Sequence, residues 1–212
     1  TRLTEVRQAW MIFLRAWKKV TGEDIKGEEY FCGGNTTHTF IGLRNDSLPT
    51  ANKMMCGIVN REPHKTPKAV RQFYYHTLNA AKDTIRIINP YFTLIPKIKK
   101  AIKNAVKRGV VVQIMISEPC DIPLTPDCVF YNANKMQKAG CHVWIYQPGF
   151  HHTKIIMADN QVCTVGSTNL DARSLKCDYE ANVAIIDSNV TQQLTELFEN
   201  DKRYSFKLED GM

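Results

Sequence analysis

His152-Thr153-Lys154, Asp159, Gly166-Ser167-Thr168-Asn169 and Glu180 gather, in one short stretch, the side chains that anion chemistry needs. His152 and Lys154 are two residues apart in a strand-like run, so both side chains are expected on the same face of a sheet. An imidazole beside an ammonium is an unfavourable pair unless an anion lies between them. The turn from Gly166 to Asn169 follows an apolar strand, and its Ser167 hydroxyl, Asn169 amide and backbone N–H groups can all donate to an anion. Glu180 opens the next strand, where a carboxylate can orient an imidazole through its second nitrogen. These are a nucleophile or acid, an orienting carboxylate and phosphate-holding donors. Serine hydrolase chemistry does not fit, because no Gly-x-Ser-x-Gly elbow is present. A metal fits poorly: Lys154 would sit among the ligands, and the cationic surroundings already supply a metal's charge. No metal or other cofactor is expected.

The elements that must position these residues alternate between strands and helices. An opening helix carries Leu3, Val6, Trp10, Phe13, Leu14 and Trp17 on one face and stops at Thr21-Gly22. Residues 23–52, rich in Gly, Asn, Thr and charge, read as a long irregular connection. From Lys53 the pattern predicts strands at Met54–Val59, Thr84–Ile88, Val110–Ile116 and His142–Tyr146. Further strands are expected around His152–Ala158, Gln161–Val165 and Ala181–Ile186. Helices are expected at Pro67–Lys82, from Pro96 to just before Gly109, near Pro126–Ala139 and from Val190 to Asp201. The run Val110–Ile116 is almost wholly apolar, as in a strand buried on both faces. The fold class that follows is α/β, a mixed β-sheet flanked by helices on both faces. On the helix after Pro96, Lys97, Lys99, Lys100, Lys103 and Lys107 form a charged outer face, read as the ordinary exterior of an amphipathic helix, with a phosphate-binding stripe as the alternative.

With 212 residues the chain can bury a full core, and 43% hydrophobic against 23% charged residues is the balance of a soluble globular protein. No run of 18 apolar residues marks a membrane span, and no signal peptide is visible. The formal charge of +7 favours anionic partners, either phosphodiester polymers or anionic lipid headgroups. Cys32, Cys56, Cys120, Cys128, Cys141, Cys163 and Cys177 lack zinc or disulfide spacing. They read as free, buried thiols in a reducing compartment.

His152-x-Lys154, Asp159 and Gly166-Ser167-x-Asn169 resemble the signature of the phospholipase D superfamily. Six specified residues at about 5% each, over about 200 starting points, recur by chance ~3 times in a million sequences. Leu170-Asp171-Ala172-Arg173-Ser174, Asn89-Pro90-Tyr91-Phe92, Lys107-Arg108-Gly109-Val110 and Ala139-Gly140 narrow the resemblance to bacterial cardiolipin synthases. It covers about Phe13 to Lys202 and is greatest with the C-terminal half of those enzymes. The motif occurs once, and Thr153 stands where Ala or Ser is more usual.

The resemblance implies a phospholipase D-like α/β sandwich half. Two His-x-Lys halves then meet at one site, where one histidine attacks phosphorus and the other serves as acid and base. In that scheme His152, Lys154, Asn169 and Glu180 are catalytic. Lys154, Ser167 and Asn169 hold the phosphate, while Asp159 and Gly166 are structural. Glu180 keeps its histidine in the required tautomer. His151 faces away from His152 in a regular strand. Asp121, after Glu118-Pro119, takes a turn role, with contact to an incoming hydroxyl as the alternative. Arg173 has Asp171, Glu180 or a lipid headgroup as candidate partners.

The implied domain division is residues 1–52, the closing helix of an upstream half plus an irregular connection, and 53–212, a catalytic domain with a single His-x-Lys motif. The expected function is phosphatidyl transfer between molecules of an anionic phospholipid, phosphatidylglycerol. The second half lies either upstream in a parent chain or in a second copy. The parent is expected at the cytoplasmic face of the cell membrane, with this segment itself soluble. The alternatives are a homodimeric phosphodiesterase or nuclease of the same superfamily, with nucleic acid as partner, and a non-catalytic half that binds anionic lipid.

Overall fold

The computed structural model describes residues 2–25 and 54–209. Two compact units divide the chain, Thr1–Ile58 and Val59–Met212. Most of the expected irregular connection, with Cys32 and His38, lies outside the described residues. In the first unit, helix α1 (Arg2–Thr21) ends where expected. Gly22 takes φ +77° and its N–H donates to Lys18 O at 2.9 Å, a left-handed cap that a Cβ would disfavour.

The remaining elements are β1 (Met55–Arg61), α2 (Ala69–Ala80), β2 (Thr84–Ile88), α3 (Pro96–Lys107), β3 (Val111–Ser117) and α4 (Thr125–Gln137). After them come β4 (His142–Tyr146), β5 (Ile155–Ala158), β6 (Val162–Gly166), α5 (Ala172–Lys176), β7 (Glu180–Ile186), α6 (Ser188–Asp201) and β8 (Ser205–Lys207). The strands form one sheet in the order β1-β7-β6-β5-β2-β3-β4-β8. β2, β3 and β4 are parallel, whereas β5 runs antiparallel to both β2 and β6, and β7 antiparallel to β6. The sheet is therefore mixed, as the sequence predicts.

Alternation along the strands separates two cores. Ile85 and Ile87 of β2, Val112 and Ile114 of β3, and Val143 and Ile145 of β4 pack with Tyr74, Leu78, Ile98, Ile102, Val129 and Met136 of α2, α3 and α4. Ile88, Met115, Ile155, Met157 and Cys163 point the other way, against Phe198, Val190 and Leu194 of α6. Each side chain of this size contributes roughly 1.5–3 kcal/mol when fully buried. On α3, Ile98, Ala101, Ile102 and Ala105 are buried while Lys100 and Lys107 lie in solvent, the plain amphipathic arrangement. Lys97 Nζ sits 4.2 Å from the Tyr75 ring centre.

Three expectations need correction. The strand around His152 begins only at Ile155, because β2, its neighbour, ends at Ile88 opposite that residue. α5 and β8 were not expected. α5 is a single turn set by its Asp171 cap, and β8 is three residues at a sheet edge, too short to show a period. The described cysteines are all free, but only Cys141 and Cys163 are buried, whereas Cys128 and Cys177 are exposed. Burial pushes the Cys141 thiol up to about 12.

Candidate active site at the carboxyl edge of the sheet

The topology brings distant segments to one edge. β2, β3 and β4 finish there, at Ile88, Ser117 and Tyr146, and β6 finishes there at Gly166. The antiparallel strands β5 and β7 start there, at Ile155 and Glu180. His152, Lys154, Ser167, Asn169 and Glu180 consequently converge outside the carboxyl ends of the parallel strands, where open sheets bind ligands.

His152 and Lys154 lie in the extended run that enters β5. The ladder reaches one residue beyond the strand, with Gly166 N–H donating to Lys154 O at 3.3 Å. The Lys154 side chain is buried, and its Nζ donates to the His152 carbonyl at 2.8 Å. Burial lowers the affinity of Lys154 for its proton, opposed by the charges of Glu180, Asp121 and Asp171. The His152 residue is exposed. Its ring packs against Phe150, at 5.1 Å between centres and tilted 30°, and Tyr91, at 6.0 Å and edge-on, and those two rings are 5.8 Å apart, so the three form a triangle. Desolvation, then the Lys154 charge, lowers the imidazole pKa below its ordinary value, and Asp121 acts in the opposite direction. His151 points elsewhere: its Nε2 meets Asp201 Oδ2 at 2.9 Å and its ring meets Tyr146 at 4.7 Å.

The donor turn is fastened from below. Thr168 is fully buried, and its Oγ1 donates to Asn182 Oδ1 at 2.5 Å. Asn182 Nδ2 in turn donates to Tyr74 Oη at 2.8 Å and to Thr164 Oγ1 at 3.1 Å. Leu170 N–H donates to Asn89 Oδ1 at 3.1 Å, tying the turn to the loop after β2. Ser167 and Asn169 are thus each flanked by an anchored neighbour. The network of Tyr74, Asn89, Thr168 and Asn182 was not expected from sequence; its one visible signal is Asn182, a polar residue inside an otherwise apolar strand. The Asn169 Oδ1 atom is buried without a hydrogen-bond partner, a state seldom kept in native proteins except where a group has work beyond packing.

Gly166 has a steric reason. A Cβ there would lie 2.4 Å from Ala181 O and 2.6 Å from Asn182 Cα, both backbone atoms of the paired strand β7. Asp159 serves the backbone, at φ +52°. Its Oδ2 accepts from Lys82 N–H at 2.8 Å, and its Oδ1 from the N–H groups of Asp83 and Thr84 at 2.8 and 3.0 Å. Burial raises its pKa, but these three donors outweigh it and hold the carboxyl below the usual range.

Glu180 is buried, and its Oε2 accepts a hydrogen bond from Ser167 Oγ rather than from the imidazole of His152. The reason is local. β6 and β7 are paired, so Ser167 N–H donates to Ala181 O at 3.0 Å and Ala181 N–H donates to Ser167 Oγ at 3.1 Å. That double link sets the hydroxyl against the carboxylate next to Ala181. Arg173 pairs with Asp178, at 3.0 Å, rather than with Asp171 or Glu180; Asp171 caps α5 by accepting from Ser174 N–H at 2.7 Å. Asp121 accepts a hydrogen bond from the Tyr91 hydroxyl. Among the described residues no group of three or more His, Cys, Asp or Glu side chains could hold a metal. No helix among them is long and apolar enough to cross a membrane.

A mixed sheet covered by helices, with a His-x-Lys run and a Ser-x-Asn turn at its carboxyl edge, defines a phospholipase D-like domain. Solved structures agree on the fold. A phospholipase D family member from Salmonella typhimurium, Nuc, superposes with TM-score 0.63 at 22% identity, over 74% of this chain and 100% of that one. Phosphatidylserine synthase from Haemophilus influenzae gives 0.60 at 14%, over 76% and 41%. The chain belongs to the family described as "Cardiolipin synthase, PLD-like domain", whose profile matches residues 74–202. A cardiolipin synthase of Clostridium perfringens is 31% identical over 175 residues, 80% of this chain and 35% of the relative. A probable cardiolipin synthase of Bacillus subtilis is 29% identical over 197 residues, 93% of this chain and 37% of the relative. The chain thus spans about a third of the length of these curated relatives.

Proposed function

We propose that residues 53–212 form one catalytic half of a cardiolipin synthase-like phosphatidyltransferase, completed by a second His-x-Lys half. The overall reaction joins two phosphatidylglycerol molecules and releases glycerol, at the cytoplasmic face of the membrane. The observation that carries this reading is the convergence of His152, Lys154, Ser167 and Asn169 on one sheet edge, in a chain of this family.

In the proposed cycle the partner half's histidine attacks phosphorus. A P–N bond forms as the P–O bond to glycerol breaks, and His152 gives its proton to the departing glycerol oxygen. His152 then takes the proton of an incoming hydroxyl while that oxygen attacks phosphorus and the P–N bond breaks. A lowered pKa favours the neutral imidazole that the second step needs, and the proton taken up in that step is the one given to glycerol in the next first step. Lys154 and the Asn169 amide stabilise charge on the phosphoryl oxygens, and Ser167 joins them when its hydroxyl proton turns from Glu180 to the phosphate. Glu180 holds Ser167 in place, Gly166 lets β6 and β7 close beneath them, and Asp159 fastens the opposite end of β5 to the start of β2.

The test is the purified full-length protein in phosphatidylglycerol micelles. Release of glycerol and appearance of a four-chain lipid are expected, with His152→Ala lowering the rate about 10²–10⁴-fold. Absence of that lipid, with polynucleotide cleaved instead, refutes the proposal. One observation favours this second reading, in which two copies of the chain form a phosphodiesterase: the formal charge of +7. It requires polynucleotide binding that weakens steeply with salt.

A further inference from the structure

The reaction just outlined leaves two groups beside His152 unused. Tyr91, from the loop after β2, sets its ring edge-on to the imidazole at 6.0 Å. Its hydroxyl donates to Asp121 Oδ1, from the loop after β3, and Cys120 Sγ lies 3.8 Å from the same oxygen. The Asp121 carboxylate is thereby fixed at the imidazole's side of the edge while remaining exposed. Hydrogen bonding from Tyr91 lowers its pKa, against a smaller effect of burial, so it is ionised at neutral pH.

An ionised carboxylate accepts hydrogen bonds and donates none. Beside a phosphodiester it repels the anionic oxygens, so phosphate binding does not explain its place. A neutral hydroxyl is the group it fits. The acceptor hydroxyl that reacts must lie at His152, and a carboxylate fixed next to that imidazole is in position to meet a second hydroxyl of the same molecule.

We propose that Asp121, held by Tyr91, binds the second hydroxyl of a vicinal-diol acceptor while His152 deprotonates the first, so that the site selects diols over simple alcohols. This rests on the transferase reading. The bonds made and broken remain those of the second step: acceptor O–H to His152, acceptor oxygen to phosphorus, and P–N broken.

The experiment offers the full-length protein phosphatidylglycerol with equal concentrations of labelled glycerol and labelled 1-propanol. The ratio of phosphatidyl-glycerol to phosphatidyl-propanol formed does not depend on how much enzyme is folded. Asp121→Asn is expected to lower the glycerol:propanol ratio about tenfold, the worth of one hydrogen bond to a charged group. Tyr91→Phe should lower it in the same direction and by less, because the carboxylate stays but is no longer held. An unchanged ratio in Asp121→Asn, even with total turnover reduced, overturns the assignment in favour of a purely structural loop residue. Failure of the unmutated protein to label either alcohol overturns the transferase reading, and this inference with it.

Discussion

Asp159 belongs to the signature run yet has its carboxylate turned to the main chain, and replacing it with Asn separates these two descriptions. The substitution keeps size and shape, and Asn tolerates the left-handed conformation at φ +52° as well as Asp does, so backbone strain is unchanged. Only the hydrogen bonds change. One amide oxygen can still accept from Asp83 and Thr84, but the NH2 group then faces the Lys82 N–H, donor against donor. One charge-assisted bond is lost and one N–H is left without a protein partner, a cost of roughly 1–2 kcal/mol once its solvent exposure is discounted. The sign with pH follows from the depressed carboxyl. Its folded pKa is below the unfolded value of about 3.9, so its stabilisation is complete above that value and fades as pH falls through the folded one. Urea unfolding at pH 7 should show the full deficit of Asp159→Asn, and unfolding well below pH 3.9 a much smaller one. Equal deficits at both pH values, or no deficit at pH 7 together with lost activity, refute the backbone-holding account.

Gly166→Ala forces a methyl group against Ala181 O and Asn182 Cα, backbone atoms of β7, and should cost about 1–3 kcal/mol and lower Tm by roughly 3–10 °C by calorimetry. Titration of His152 by NMR should separate its neighbours. Lys154→Met raises the imidazole pKa by removing a like charge, and Asp121→Asn lowers it; shifts in the same direction contradict the charge assignment. Arg61→Met removes the buried guanidinium that donates to the carbonyls of Lys176 and Asp178, and should destabilise the domain by about 2 kcal/mol in urea, with Glu180 amide exchange accelerated.

Strands β2 and β4 could be read from sequence to the residue, because their apolar alternation stops sharply at Asn89 and Gln147. Helix α3 was legible for a different reason, its Pro96 start and the Gly109 that follows it at φ +87°. The site residues were legible as types and spacings. Their partners were not, since hydrogen bonding between strands depends on which edges meet. Glu180 has the chemistry to orient an imidazole, but the register Gly166↔Asn182 sets it beside Ser167 instead. The same holds for Arg173, whose sequence offers three carboxylates within seven residues, while the turn of α5 brings Asp178 to it. Asn89 and Tyr91 follow β2 and lie more than 60 residues before His152, so nothing local marks them as neighbours of the motif. Only the antiparallel placement of β5 against β2 does so.

That placement also bears on the second half that the proposed function invokes. In the described geometry one buried lysine faces the edge, its ammonium bonded to the His152 carbonyl and already offset by the Glu180, Asp121 and Asp171 charges. A transferring phosphoryl group spreads negative charge over its equatorial oxygens, and stabilising it in the absence of a metal calls for several fixed donors and cations. One lysine, one hydroxyl already committed to Glu180 and one asparagine are few for that load. In each step of the proposed cycle the attacking and departing atoms, one nitrogen and one oxygen, also lie in line on opposite sides of phosphorus, whereas every group named here sits on one sheet edge. Under the proposed function, a matching edge brought face to face would double the donors and place a second imidazole across the phosphorus, as in-line displacement through the proposed P–N intermediate requires.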